Sequence, residues 1–117
     1  MIRPSNSSLK VYLYHQPVDM RKAMNGLAVI VEQEMGLSAF SKSIFVFMNK
    51  RRDKVKMLVW EKNGFVVWYK RLEKERFTWF EDETARTVSV KELNWLLDGY
   101  DVFNFKPHQA LKFDSVM

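Results

Sequence analysis

Cysteine is absent from the 117 residues, which excludes disulfide staples, thiolate zinc sites, iron–sulfur clusters and cysteine nucleophiles. Glycine and proline are scarce, four and three residues, so the chain is neither a collagen, a flexible linker nor a low-complexity segment. The two histidines, His15 and His108, form neither a His-x-His nor a His-x-x-x-His pair, which leaves no histidine-based metal motif and no metal or cofactor expected. Apolar runs such as Ile44–Met48 and Met57–Trp60 are far shorter than the roughly 20 residues needed to cross a bilayer. Residues 1–9 are polar and carry no apolar stretch of signal-peptide length, so a cytoplasmic protein without membrane contact is expected. Neither a G-x-x-x-x-G-K-[ST] loop nor a G-x-S-x-G elbow occurs, which removes the usual frameworks of nucleotide hydrolysis and serine acyl transfer.

What remains is a chain with 47% hydrophobic and 15% aromatic residues, enough apolar surface for one core. The net charge of +5 is unevenly spread. Residues 42–76 hold eleven cations against four anions, whereas residues 77–117 hold four against seven. Such a local excess suits a polyanion such as DNA or RNA, although a solvated basic face would read the same way.

Leu9–Tyr14 is rich in β-formers and reads as a first strand ended by Pro17. Met20, Ala23, Met24, Leu27, Ile30, Val31 and Met35 then recur at helical spacing, which predicts a long helix capped by Asp19, stopped at Gly36, and packed through Met24, Leu27 and Val31. Gly26 inside it suggests close approach of a neighbouring backbone. Ile44–Met48, Val55–Trp60 and Phe65–Leu72 read as an antiparallel three-strand meander. Asn63-Gly64 suits a two-residue hairpin turn, which would set Lys62 opposite Phe65, Trp60 opposite Val67 and Lys56 opposite Arg71. Residues 73–83 read as a loop with short extended pieces. Ser89-Val90-Lys91-Glu92 has capping-box spacing, with Val88 and Leu93 placed as a hydrophobic staple, and predicts a short second helix ending near Asp98-Gly99. The expected fold is therefore α+β: the meander plus the N-terminal strand in an antiparallel sheet, a long helix on one face, and a second short helix. Residues 1–99 form the single domain and 100–117 a tail, docked or mobile.

The strongest chemical feature is the run Lys50, Arg51, Arg52, Lys54 and Lys56 at a hairpin tip and strand start, with a second group of Lys70, Arg71, Lys74 and Arg76 on the following strand. Basic side chains so placed can straddle a phosphate backbone, or pair internally with Asp53, Glu73 or Glu75. Phe77, Trp79 and Phe80 offer an exposed aromatic patch for a protein partner, or part of the core. Asp19, Glu81, Asp82 and Glu83 are the carboxylates a Mg²⁺-dependent nuclease would use, but consecutive acids diverge and more simply make a solvated loop. Arg21 beside Asp19 opposes a helix dipole and therefore either pairs with an acid elsewhere in the fold or extends the basic surface.

Asp19-Met20-Arg21-Lys22, Gly26-Leu27, the run Ile44 to Lys56, Trp60, Gly64, Tyr69-Lys70-Arg71-Leu72-Glu73, Phe77-x-Trp79 and Leu93-x-Trp95-Leu96-Leu97-x-Gly99 together resemble the TnpB accessory proteins of the sixty-six family of bacterial insertion sequences. These are unrelated to the RNA-guided nuclease of the same name. The resemblance covers about Leu9 to Gly99, with Ala39, Glu75 and Phe80 departing from the usual residues. It implies a non-catalytic protein encoded beside a transposase and taking part in transposition, with DNA as one expected partner and the transposase or another element-encoded protein as the alternative.

Overall fold

The computed structural model describes residues 8–104. Strands β1 (Lys10–Leu13), β2 (Ser43–Met48), β3 (Lys54–Glu61), β4 (Gly64–Arg71) and β5 (Arg86–Val88) form one sheet in the order β4-β3-β2-β1-β5. Helix α1 (Met24–Val29), continued as a π-helical segment Ile30–Glu34, packs on one face, and α2 (Val90–Leu97) on the other. The fold is α+β, but the sheet is mixed.

β2 explains the layering. Its residues Ser43–Met48 are all buried, because alternate side chains feed two separate cores. Ile44, Val46 and Met48 join Met57, Leu93, Leu96 and Leu97 beneath α2, while Phe45 and Phe47 join Leu58, Leu27 and Val31 beneath α1.

The N-terminal strand pairs parallel to β2, Lys10 with Ser43 through Leu13 with Val46, not antiparallel as expected. Residues 14–42 form a crossover carrying α1, long enough to return the chain to the same end of the sheet. β5 adds a fifth strand, antiparallel to β1, between the expected loop of residues 73–83 and α2, where no element was expected.

The first helix is shorter than its apolar spacing predicts. It begins at Met24 with Ala23 as N-cap, and Asp19 does not cap it. Asp19 instead opens a turn: its carboxylate accepts from the Arg21 N–H at 2.9 Å, and the Lys22 N–H donates to the Asp19 carbonyl at 3.0 Å. The Met20 and Lys22 carbonyls, which a continuing helix would engage, both accept from the Lys56 ammonium, at 2.7 and 2.9 Å. Met24 is consequently exposed, and the packing face reduces to Leu27 and Val31 with partly buried neighbours. The Met35 N–H reaches back five residues to Ile30, and Gly36, at φ +67°, ends the helix as expected. A Cβ at Gly26 would meet only the Lys22 side chain, at 3.4 Å, so no neighbouring backbone approaches there.

The β3–β4 hairpin also differs in detail. Glu61 pairs with Gly64 and Trp60 with Phe65, so Lys62 and Asn63 are the loop, with Lys62 at φ +55°. Relative to the register expected from Asn-Gly, each partner moves by two residues, so every side chain keeps its expected face. The observed register sets Lys56 opposite Tyr69, with the ammonium 5.8 Å from the ring, instead of opposite Arg71. It also seats Trp60 edge-on to Phe65 at 4.9 Å between centroids. These cross-strand pairs outweigh the preference of one turn dipeptide.

α2 has the expected construction. Ser89 and Glu92 complete the capping box, Leu93, Leu96 and Leu97 are buried, and Gly99 follows at φ +98°. Of the expected tail, Val102 and Phe103 pack against the α2-side core, whereas 105–117 lie outside the described residues.

Candidate polyanion-binding groove

The β2–β3 tip is built around one amide. The Asn49 side-chain oxygen accepts from the Asp53 and Lys54 N–H groups at 3.1 and 3.0 Å, and its Nδ2 donates to the Asp53 carboxylate at 2.6 Å. That hydrogen bond is the main reason the Asp53 carboxyl lies below its ordinary value. Arg52 takes φ +62° to close the turn. The next segment is tied to the tip, since the Leu72 N–H donates to the Asp53 carbonyl at 2.8 Å and the Phe77 N–H to the Arg52 carbonyl at 2.7 Å. Lys74 and Arg76, both exposed, lie between these two anchors.

Beside the tip, the Asp19–Lys22 turn forms the opposite wall of an open groove of about 640 Å³. Arg21, Lys50, Arg51 and Lys54 line it together with Asp19 and Tyr69. Two sequence segments some thirty residues apart thus meet because β1 is parallel to β2 and Val18 donates to the Met48 carbonyl at 2.9 Å. The Lys50 and Arg51 side chains make no hydrogen bond or ion pair among the described residues. Arg21 pairs with its neighbour Asp19, Nη2 to Oδ2 at 2.6 Å and Nε to both oxygens, rather than with a distant acid. These hydrogen bonds hold the Asp19 carboxyl at about 2. Arg21 nevertheless remains 92% exposed, with its Nη1 end uncommitted among the described residues.

The remaining cations are distributed differently. Lys56 lies beneath the Asp19–Lys22 turn as a fastener. Lys70 points to the other face, where its ammonium donates to the Leu97 carbonyl at 2.9 Å and caps the C-terminus of α2. Arg52 leans toward Glu81 at 3.5 Å, in a second, smaller cleft shared with Lys50. Arg71 sits opposite Lys54, and each has its own acid: Glu73 at 3.0 Å from Arg71 and Asp53 at 3.7 Å from Lys54. That is the internal neutralisation the sequence left open.

Phe77 and Phe80 are buried, at 2% and 5% exposure, in the core beneath α2, and Trp79 packs edge-on against Phe103. They do not form an exposed partner-binding patch. Among the described residues no three His, Asp or Glu side chains group as a metal site, and Asp82 turns to Arg86 at 3.5 Å. Sequence reading gave Asn49 no role of its own. The signal for Asn49 was its i,i+4 spacing to Asp53 across a hairpin tip, a geometry that lets an amide satisfy the turn.

The architecture defines a small α+β protein whose hairpin tip and pre-helical turn frame a cationic surface groove. The chain belongs to the IS66 Orf2-like protein family, whose profile matches residues 9–107, past Gly99 and into the tail. It is 33% identical over 102 residues to "Uncharacterized protein y4jC" of Sinorhizobium fredii, covering 86% of each chain. It is 29% identical over 99 residues to "Uncharacterized protein y4hO" of the same organism, covering 84% of this chain and 86% of the relative. No solved structure matches. Membership ties the chain to insertion sequences. Among the described residues no helix is long and apolar enough to cross a membrane.

Proposed function

We propose that the protein is a non-catalytic accessory factor of insertion-sequence transposition that binds DNA through the groove between the β2–β3 tip and the Asp19–Lys22 turn. The observation that carries this reading is the convergence of Arg21, Lys50, Arg51 and Lys54 on one open surface, with the Lys50 and Arg51 side chains making no hydrogen bond or ion pair among the described residues. An open groove lined by four cations suits a phosphate backbone better than an enclosed small molecule, and phosphate contacts supply affinity without much sequence preference. Arg71, Lys74 and Arg76 extend the surface, whereas Lys56 and Lys70 support the fold. With Phe77 and Phe80 buried, the adaptor alternative loses the aromatic surface first assigned to it.

Fluorescence anisotropy with labelled element-end DNA across a salt series tests the proposal. Affinity falls as salt rises, and Lys50→Ala with Arg51→Ala reduces the slope of log K against log [salt] by about 2. Binding that is insensitive to salt, or unchanged in the double variant, overturns it.

A further inference from the structure

β4 ends the sheet, and no described residue pairs with its outer edge. Its residues Phe65 to Tyr69 read Phe-Val-Val-Trp-Tyr: uncharged, β-branched or aromatic, and nowhere fully buried. Natural edges are protected by proline, a bulge, a short strand or an inward-pointing charge. This edge is eight residues long, and its Lys70 ammonium is already engaged by the Leu97 carbonyl on the α2 face. The opposite edge, β5, is only three residues long.

We propose that β4 pairs antiparallel with β4 of a second copy of this chain, about a two-fold axis through Val67. The occupant follows from self-complementarity. A two-fold axis normal to the sheet keeps both α1 faces on one side, so opposed residues must come from the same face. Centring the axis on Val67 sets Phe65 against Tyr69 of the second copy and Val66 against Trp68, each twice, the aromatic and aromatic–β-branched pairs that stabilise sheets. Lys70 and Arg71 then fall opposite Gly64 and Asn63, so no like charges face one another.

The backbone agrees with this register. Glu61 and Gly64 close the two-residue loop and are therefore the hydrogen-bonded pair of the β3–β4 ladder. Ladder alternation then turns the N–H and C=O groups of Phe65, Val67 and Tyr69 outward. Those are the residues that oppose one another across the proposed axis, allowing about six new backbone hydrogen bonds.

Tyr69 also lines the basic groove, so the second copy would bring Phe65, with the neighbouring rings of Trp60 and Phe40, to the groove's open side. Phe40 is 56% exposed without such cover. The two grooves would open on the same face, with the Tyr69 positions offset by about 13 Å along the strands. Only the consequence that both grooves meet one duplex rests on the DNA reading; the pairing does not.

Sedimentation of the full chain without DNA tests the pairing. A dimer fraction is expected that grows with concentration and with salt, because salt screens two copies of charge +5, whereas salt weakens DNA binding. The absence of cysteine makes single-cysteine variants clean probes. Val67→Cys should form at least tenfold more disulfide-linked dimer on mild oxidation than Val66→Cys, because residues opposed on the axis have Cα atoms about 5.5 Å apart, within bridging range. A chain that stays monomeric at every concentration, including one whose Phe65, Val67 and Tyr69 amides are exchange-protected by its own C-terminal residues, overturns the proposal. So does equal cross-linking of the two variants.

Discussion

The Lys56 ammonium donates to the Met20 backbone carbonyl at 2.7 Å, joining the middle of β3 to a turn thirty-six residues earlier in the chain. A second bond to the Lys22 carbonyl makes this side chain the fastener of the groove's Asp19–Lys22 wall. Lys56→Met leaves two carbonyls without their charged donor. It is expected to lower stability by about 1–3 kcal/mol in urea unfolding, and to weaken DNA binding by loosening the turn that carries Arg21. Lys54→Ala, by contrast, should reduce affinity and the salt slope with little change in stability. Equal stability losses in the two variants would remove the distinction between fastener and contact.

Lys70 has a different assignment from its neighbour Arg71. Lys70→Met should cost about 1 kcal/mol by removing the donor and positive charge at the C-terminus of α2, and leave DNA affinity unchanged. A variant of normal melting temperature and weakened DNA binding would place Lys70 in the interface instead.

Lys62 occupies φ +55° in the β3–β4 loop, a conformation that costs an L-residue energy and glycine none. Lys62→Gly is expected to raise stability by roughly 0.5–1 kcal/mol in the same unfolding assay, or at least not to lower it. A clear loss would mean that the loop is formed by Asn63-Gly64 after all.

The Asp19–Arg21 pair predicts an acid titration. The Asp19 carboxyl lies at about 2 instead of 3.8, chiefly because Arg21 donates hydrogen bonds to it. A depressed carboxyl contributes stability that is present above its unfolded value and lost as pH falls, so the turn should loosen between 3.8 and about 2. Carboxyl-detected NMR should find Asp19 titrating near 2 in the parent chain, and returning toward 3.8 in Arg21→Ala. An Asp19 that already titrates at 3.8 in the parent chain would show that the pair does not persist in solution.

Phe77→Ala tests whether the Phe77 ring belongs to the core. Removing a ring that is 2% exposed should cost about 3–5 kcal/mol, a core-sized loss, whereas a docking residue would leave the melting temperature nearly unchanged.

Features that depend on neighbours in the chain were readable from sequence. α2 was legible because Ser89, Glu92 and Gly99 satisfy its ends locally, and β2 because a run of five apolar residues has no exposed face to offer. The basic tip was legible because charge is a property of composition. Tertiary contacts decided the rest. Asp19 looks like a helix cap until Lys56, thirty-seven residues later, takes the carbonyls that would have extended the helix. Asn63-Gly64 looks like the turn until Trp60 meets Phe65 and Lys56 meets Tyr69. Phe77 and Phe80 look available until α2 and the sheet enclose them. The direction of β1, and with it the meeting of Arg21 with Lys50 and Arg51, depends on where a crossover of residues 14–42 brings the chain back, which no local pattern encodes. Local propensity thus set which elements this chain forms, while long-range burial and hydrogen bonding set their ends, their register and which cations are left facing solvent.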